Sequence, residues 1–261
     1  MRFSAADIEK IIKNELLVEH LDRNQLLNGD KRFAAYVHCD GLRVAHILGL
    51  LPADKPFNVL EIGVGYGYVV APMSRFFPHA TISAVEAPGR EYLEMESFQK
   101  MLMASRTTLI ACDITARSLP FSDDSFDFAI FSEVIEHIPP QAIPRILIDI
   151  RRTLRPDGQL ILTTPNAVRL RNRLRFLAGY NIFENPANQI GGTFGHLREY
   201  TCSELVEMVT SARFDKVENV PMNILFPIIE TVGERIVSRV GGWLSLVSPA
   251  FQDFVCIRAT K

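Results

Sequence analysis

Five short apolar segments that alternate with helical segments constrain the fold more than any other feature of the chain. Alternation of this kind is typical of a parallel sheet that is covered by helices on both faces. Two later segments, near residues 215–220 and 253–260, are predicted to add two more strands. We therefore expect an α/β fold with a seven-stranded sheet. The five segments are NVLEI (58–62), TISAV (81–85), TTLIA (107–111), FDFAIF (126–131) and QLILTT (159–164).

Helical periodicity marks the segments that lie outside this sheet. Apolar residues at helical spacing predict one helix over Ser4–Asn28 and a second over about Cys39–Leu51. Thr201 and Glu204 form a capping-box pattern, which predicts the start of another helix. The predicted organisation is an N-terminal helical cap (1–56), a core (57–165), a lid insertion (166–200) and a C-terminal part of the core (201–261) with a helical insertion at 221–250.

The composition limits the classes of partner. Of the 261 residues, 48% are hydrophobic and the net charge is −2, so we expect a sizeable core and no nucleic-acid partner. The four cysteines show no CxxC spacing, and the N-terminus lacks the apolar core of a signal peptide. Because no run of eighteen apolar residues exists, no transmembrane segment is predicted. These features predict a soluble cytoplasmic protein.

A glycine-rich turn follows the first strand directly. Glu61 precedes Gly63, Gly65 and Gly67 in the pattern E-x-G-x-G-x-G, which lets a ligand approach the backbone at the start of a helix. Further acids end the next two strands: Glu86, which can hold ribose hydroxyls, and Asp113, which can accept a hydrogen bond from an adenine amino group. Because the carboxyl ends of parallel strands share one edge of a sheet, these acids predict a nucleoside-binding site there.

The motifs that surround this turn resemble those of class I S-adenosylmethionine-dependent methyltransferases, over about residues 57–166. A dinucleotide-binding turn would have a small residue where Tyr68 stands, which disfavours a nicotinamide-dependent dehydrogenase. Pro72, early in the following helix, departs from the expected pattern and could kink that helix. The motifs are VLEIGVGYGY, AVEAP, ACDI, LPFSDDSFDFAIFSEVIEHI and LRPDGQLILTTPN.

This resemblance implies a Rossmann-like methyltransferase sheet and assigns roles to individual residues. Glu61 and the turn of Gly63, Gly65 and Gly67 would hold the methionine part of the cofactor S-adenosylmethionine. The remaining cofactor residues would be Glu86 and Ala87 at the ribose, Asp113 and the Ile114 backbone at the adenine, and Ser132 and Glu133 near the methionyl end.

The segment FSEVIEHIP (131–139) carries the candidate catalytic groups. A helix with Ser132 as its N-cap would place Glu133, Glu136 and His137 on one face. His137 is our first choice for a general base, and His196 in GHLREYT is the second catalytic candidate. E-x-x-E-H also resembles the motif of some metal-dependent O-methyltransferases, in which His196 would complete a magnesium site. We favour a site without metal, and a purely structural role is the third alternative.

Two apolar segments are predicted to cover the site. The lid segment VRLRNRLRFLAGY has a stripe of Leu170, Leu174 and Leu177 among four of the eight arginines between residues 141 and 180. It is either a solvated surface helix or a lid that contacts an anionic headgroup or a membrane. The segment 221–250 contains Trp243, the only tryptophan of the sequence. For this segment, packing in the core is favoured over a homodimer interface or an apolar acceptor pocket.

Together these features predict a methyltransferase that acts on oxygen of a small sugar-like or lipid-like acceptor. The acceptor could be amphiphilic, and His196, Arg198 and Tyr200 are candidates for contacting it. The alternatives are a catalytically silent subunit that binds S-adenosylmethionine, or an NAD-dependent oxidoreductase. Peripheral contact with a membrane and a homodimer are also compatible with the sequence.

Overall fold

A computed structural model of the chain describes residues 3–16, 31–183, 195–222, 224, 240–241, 243–244 and 246–261. Its centre is a seven-stranded sheet in the order β3-β2-β1-β4-β5-β7-β6. The strands β1 to β5 are parallel to one another, whereas β7 is antiparallel to both of its neighbours. The strands are β1 (Phe57–Ile62), β2 (Ala80–Glu86), β3 (Thr108–Ala111), β4 (Phe126–Ser132), β5 (Leu154–Pro165), β6 (Asp215–Asn219) and β7 (Phe254–Thr260).

Seven α-helices accompany the sheet in the described part of the chain. A π-helical turn (Ile12–Leu16) continues the first of them, and short 3₁₀ turns occur at Glu91–Glu94, Ile135–His137, Pro140–Ala142 and Pro249–Phe251. Residues 240–241, 243–244 and 246–247 are also helical. The helices are α1 (Ala5–Ile11), α2 (Lys31–Gly49), α3 (Val70–Phe76), α4 (Glu96–Ser105), α5 (Ile143–Thr153), α6 (Leu170–Leu177) and α7 (Cys202–Ser211).

Alternate residues of the buried strands enter two separate cores, one on each face of the sheet. Val59 of β1 packs in the core formed with α1 to α4, whereas its neighbour Leu60 packs in the core formed with α5 and α7. Both side chains are fully buried, as expected for a parallel strand covered on both sides. The predicted α/β architecture with seven strands is therefore confirmed, and each predicted strand overlaps the observed one.

The N-terminal helices differ from the prediction in their bounds. Ser4, the first residue of the predicted helix, is the N-cap of α1 and forms a capping box with Asp7. The rest of the predicted first helix, residues 17–30, lies outside the described part of the chain. The second helix begins at Lys31 rather than near Cys39. Gly41, in its interior, lies where α1 crosses it, since a Cβ atom there would lie 2.6 Å from Glu9 Cγ.

One further expectation needs correction. Pro72 lies in the first turn of α3, where a missing backbone N–H donor leaves no hydrogen bond unmade, so the proline does not interrupt the helix. Core packing, the favoured role of segment 221–250, stays a prediction: Met222 and Ile224 are buried in the core, whereas the Trp243 side chain is 67% exposed. Most of that segment lies outside the described residues. No helix in the described part is long and apolar enough to cross a membrane.

Candidate active site

The glycine turn after β1 has the backbone conformation that the sequence predicted. Gly63, Gly65 and Gly67 all have positive φ angles, of 78°, 51° and 84°. At Gly63 a Cβ atom would lie 2.4 Å from Val134 Cγ2, so a larger residue would displace the segment that follows β4. The turn thereby closes on the edge of the sheet and leads directly into α3.

Glu61 lies beneath this turn as a buried carboxyl with an unsatisfied oxygen. Burial raises its pKa well above the ordinary glutamate value, and the nearby Glu86 raises it further. The Val70 N–H donates to the carboxyl, but Glu61 Oε2 has no hydrogen-bond partner among the described residues. An orphaned buried carboxylate oxygen next to a glycine turn fits a cationic ligand group, such as the ammonium of S-adenosylmethionine.

The acids at the ends of β2 and β3 lie along the same edge. Glu86 accepts hydrogen bonds from the backbone N–H groups of Gly65, at 2.9 Å, and Ala87, at 2.8 Å, so it is oriented toward the turn. Asp113 accepts from the Thr115 hydroxyl and backbone N–H, and these bonds lower its pKa. Its carboxylate is therefore ionised at neutral pH, beside the adjoining Ile114. This arrangement fits a nucleoside that lies across the carboxyl ends of β1, β2 and β3.

The segment after β4 does not form the helix that the sequence predicted. Glu133 adopts a left-handed conformation, with φ of 55°, and only the short 3₁₀ turn Ile135–His137 follows. The Glu133 N–H donates to the Thr163 carbonyl, and the Thr163 hydroxyl donates to the Glu133 carboxylate. These bonds to β5 turn the chain back across the sheet edge, and Pro139 and Pro140 prevent a longer helix.

Ser132 therefore does not act as an N-cap, and it contacts a residue that sequence analysis did not identify. Its hydroxyl accepts a hydrogen bond from Arg43 of α2, at 2.5 Å, and lies 2.8 Å from the Thr163 hydroxyl. Arg43 is buried and also donates to Asp40, at 2.7 Å. Burial would lower the pKa of its guanidinium, but the negative charges of Asp40 and Glu133 outweigh burial and raise it. A fixed positive charge thus lies at the methionyl end of the expected cofactor position.

The second half of FSEVIEHIP meets the GHLREYT segment. The Leu197 N–H donates to the Glu136 carbonyl, at 2.8 Å, and His137 Nδ1 lies 3.2 Å from the Gly195 carbonyl oxygen. The rings of His137 and His196 contact each other edge to face, with 5.0 Å between their centroids. The structure therefore brings together His137 and His196, the two catalytic candidates, although the predicted helix after β4 does not form.

Glu136 is the buried acid of this group. Its Oε2 accepts from the Thr164 hydroxyl, at 2.9 Å, while its Oε1 has no partner in the described part of the chain. Burial raises its pKa to about 8, and the charge of Glu133 adds to the increase. Burial likewise raises the pKa of Glu133, although Arg43 opposes this.

A second layer of polar residues orients His196. Its Nδ1 lies 3.2 Å from Glu199 Oε1, and this hydrogen bond raises the pKa of the imidazole. Burial alone would raise the pKa of Glu199, but His196 and Arg169 outweigh it and lower that pKa. Arg169 and Asn172, at the start of α6, both donate to the Glu199 carboxylate. The start of α6 is thus hydrogen-bonded through Glu199 to His196, a candidate catalytic residue.

The same residues bear on the metal alternative. Glu136, His137 and His196 each offer a ligand atom within 4.8 Å of the others, whereas Glu133 is not part of this set. Donors shared by one ion lie about 4.2 Å apart or less, so the group would have to close slightly. Two imidazoles and one carboxylate suit a transition metal better than magnesium, which prefers oxygen ligands. A bound ion would polarise an acceptor oxygen held next to it.

Three residues of this site escaped sequence analysis. Tyr36, Asp40 and Arg43 recur at helical spacing along α2, and Tyr36 hydrogen-bonds to Asp40. The signal was a row of polar side chains, four and three residues apart, which places them on one face of the helix. Because the predicted helix began near Cys39, this row was cut in two.

Comparison with known proteins agrees with this geometry. A methyltransferase domain family matches residues 33–219. A tRNA N(3)-methylcytidine methyltransferase of Drosophila melanogaster is 26% identical over 162 residues, which cover 60% of this chain and 49% of the relative. The chain therefore spans about half the length of this curated relative.

Solved structures share the fold at low sequence identity. A possible histamine N-methyltransferase of Thermotoga maritima is 20% identical with a TM-score of 0.56, and the match covers 91% of this chain and 96% of that one. A methyltransferase in complex with the Trm112 activator of Haloferax volcanii is 14% identical with a TM-score of 0.59, over 92% of this chain and 98% of that one. The sheet order and the glycine turn agree with these similarities. Because the family match covers most of the chain, this protein belongs to the methyltransferase domain family.

Proposed function

We propose that this protein transfers the methyl group of S-adenosylmethionine to an oxygen atom of a small sugar-like or lipid-like acceptor. The observation that carries the proposal is the juxtaposition of two groups at one sheet edge. The expected cofactor residues end β1 to β4, and Glu136 and His137, which follow β4 directly, lie next to His196 from the segment between α6 and α7.

In the proposed complex, Glu61 would hold the cofactor ammonium, and Arg43, which donates to Ser132, would attract the carboxylate of the methionyl end. Glu86 and Ala87 hold the ribose, and Asp113 with the Ile114 backbone holds the adenine. Methyl transfer is an in-line displacement, so the protein contributes mainly alignment and exclusion of water.

The ionisable group supports an oxygen acceptor, because a hydroxyl is a poor nucleophile until it loses its proton. In the proposed reaction the new bond joins the methyl carbon to the acceptor oxygen as the carbon–sulfur bond breaks. The sulfonium becomes a neutral thioether, and the hydroxyl proton passes to the imidazole of His137 or His196. An amine acceptor that arrives uncharged would not require this group before the displacement.

RNA is the competing acceptor. The similarity to a tRNA methyltransferase suggests it, and the exposed side chains of Arg173 and Arg175 on α6 could contact phosphates. The net charge of −2 and the ionisable residues that can take up a hydroxyl proton favour the small acceptor. A catalytically silent subunit would bind the cofactor and transfer nothing.

The test is methyl transfer from radiolabelled S-adenosylmethionine by the full chain. The substrates are a panel of hydroxylated glycosides and polyprenyl-linked sugars, beside bulk tRNA. We expect label in the first set, and a decrease of about 100-fold in His196→Ala at unchanged affinity for S-adenosylhomocysteine. His79→Ala serves as the control, because His79 is an exposed histidine before β2, away from the site. We expect this variant to retain both methyl transfer and S-adenosylhomocysteine binding.

Each other outcome contradicts a different part of the proposal. Label in tRNA alone would replace the small acceptor with RNA. Binding of S-adenosylhomocysteine without transfer to any acceptor would favour the silent subunit. Activity that disappears on chelation and returns with a divalent transition metal would assign His137 and His196 as ligands rather than bases.

A further inference from the structure

The apolar stripe of α6 is not covered by the described part of the chain. Along its residues Leu170, Leu174 and Leu177, exposure increases from half-buried to 40% and then to 82%. An amphipathic helix of a soluble domain normally buries such a stripe. Here only its first turn is anchored, through Asn172 and Arg169, which donate to Glu199.

A second exposed apolar segment adjoins the first. A Cβ atom on Gly241 would lie 3.6 Å from Leu170 Cδ2, and the Arg173 guanidinium lies 5.0 Å from the centre of the Phe251 ring. Nine of the fourteen exposed large apolar residues in the described chain lie within residues 169–183 and 240–251. We call this surface the docking face and define it by Phe176, Leu177, Phe183, Trp243, Leu246 and Val247.

The charged residues within residues 169–183 are all arginines, one of which, Arg169, is paired with Glu199 outside that range. Residues 169–183 contain four arginines and no acidic residue, and residues 240–251 contain no charged residue. Two copies that met through this face would bring their arginines together without compensating acids, which disfavours self-association. Exposed aromatic and aliphatic side chains flanked by arginines are instead complementary to an anionic lipid surface.

We propose that the docking face binds the surface of an anionic lipid membrane, with its apolar side chains in the headgroup region and the arginines of α6 against lipid phosphates. The inference concerns binding alone and does not depend on which acceptor is methylated. Because α6 is hydrogen-bonded through Glu199 to His196, docking would place the active-site edge next to the membrane.

Trp243 provides a direct probe, since it is the only tryptophan and lies exposed on the docking face. The full chain is titrated with vesicles of phosphatidylcholine alone and with vesicles in which a third of the lipid is phosphatidylglycerol. We expect a blue shift of the Trp243 emission and co-flotation with the anionic vesicles only, both reversed at high salt.

Variants separate the two components of binding. Phe176→Ser with Leu177→Ser should weaken vesicle binding by about tenfold or more, because it removes apolar area from the face. Arg175→Glu should weaken binding to anionic vesicles by at least about fivefold. Met103→Ser with Ile148→Ser removes two apolar side chains, 73% and 56% exposed, from α4 and α5, and it should leave vesicle binding unchanged.

Three results would overturn the inference. The first is a folded protein that neither floats with vesicles nor changes its emission. The second is equal binding to both vesicle types, which would remove the role of the arginines. The third is an emission shift that depends on protein concentration without lipid, which would assign the face to contact between copies of the chain. Cofactor binding is measured in parallel, so failure here leaves the proposed methyl transfer unaffected.

Discussion

Among single residues, Glu61 is expected to lower the stability of the free protein and to strengthen cofactor binding. Its folded-state pKa is raised well above that of the unfolded chain, so near neutral pH the buried carboxyl destabilises the fold. We expect Glu61→Gln to increase the stability of the free protein to denaturant at pH 7. The same change removes the charge proposed to hold the cofactor ammonium and should weaken S-adenosylhomocysteine binding by about tenfold or more.

Calorimetry and denaturant titration measure these two effects on the same samples. Glu91→Gln is the matched control, because Glu91 is exposed on the 3₁₀ turn after β2 and should change neither quantity. Unchanged cofactor affinity in Glu61→Gln would remove Glu61 from the cofactor site, whatever the variant does to stability.

Glu136 should give the site a distinct dependence on pH. Its carboxyl titrates near pH 8 when folded, against an ordinary pKa of 4.5, so the folded state retains a proton that the unfolded state releases between these values. Stability contributed by this group is therefore present below pH 4.5 and is lost as pH rises toward 8. Between pH 5 and pH 8, the free energy of unfolding of Glu136→Gln should rise relative to that of the wild type by on the order of a few kcal/mol. Parallel wild-type and variant stability profiles would contradict the assignment.

At the scale of elements, strand positions could be predicted because they depend on local apolar runs. The segment NVLEI lies within β1, and DFVCIRAT contains β7. The turn after β4 could not be predicted, because its left-handed Glu133 depends on hydrogen bonds to Thr163, thirty residues later. The motif still located the candidate site, since Glu136 and His137 remain near His196 in a different backbone conformation.

The helix whose start sequence analysis misplaced most is α2, which begins at Lys31 instead of near Cys39 and has Gly41 in its interior. That glycine is required by the close approach of α1, a tertiary contact that no local pattern contains. The consequence is functional, since α2 carries Arg43 into the site. An N-terminal helix that looked like a cap over the core therefore supplies a charge to the expected cofactor pocket.

The buried pair of Arg43 and Asp40 tests this role of α2. Arg43→Met should destabilise the fold because it leaves Asp40 buried without its partner, and adding Asp40→Asn should restore much of that loss. If Arg43 attracts the cofactor carboxylate, the double variant should regain stability without regaining affinity for S-adenosylhomocysteine. Thermal unfolding and calorimetry separate the two effects. Recovery of both in the double variant would make the pair purely structural.

At the scale of the whole molecule, a bound cofactor would connect four strands of the sheet. The proposed ligand residues end β1, β2, β3 and β4, so binding stabilises the folded state as a unit. At free S-adenosylhomocysteine about 100-fold above its Kd, the expected gain is about 2.7 kcal/mol. For a chain of this size that corresponds to an increase in Tm of roughly 5–10 °C, which differential scanning fluorimetry resolves.

A matched pair of glycines shows whether this gain depends on the turn after β1. Gly65 and Gly89 both have positive φ, of 51° and 78°, and a Cβ atom on either would meet no atom of the described chain within 4 Å. Alanine should therefore destabilise the free protein similarly at the two positions, by about 1 kcal/mol of backbone strain. Only Gly65→Ala projects a methyl group into the space where the proposed cofactor lies, so it alone should lose the increase in Tm. An equal increase in both variants would show that the ligand does not approach the turn at Gly65.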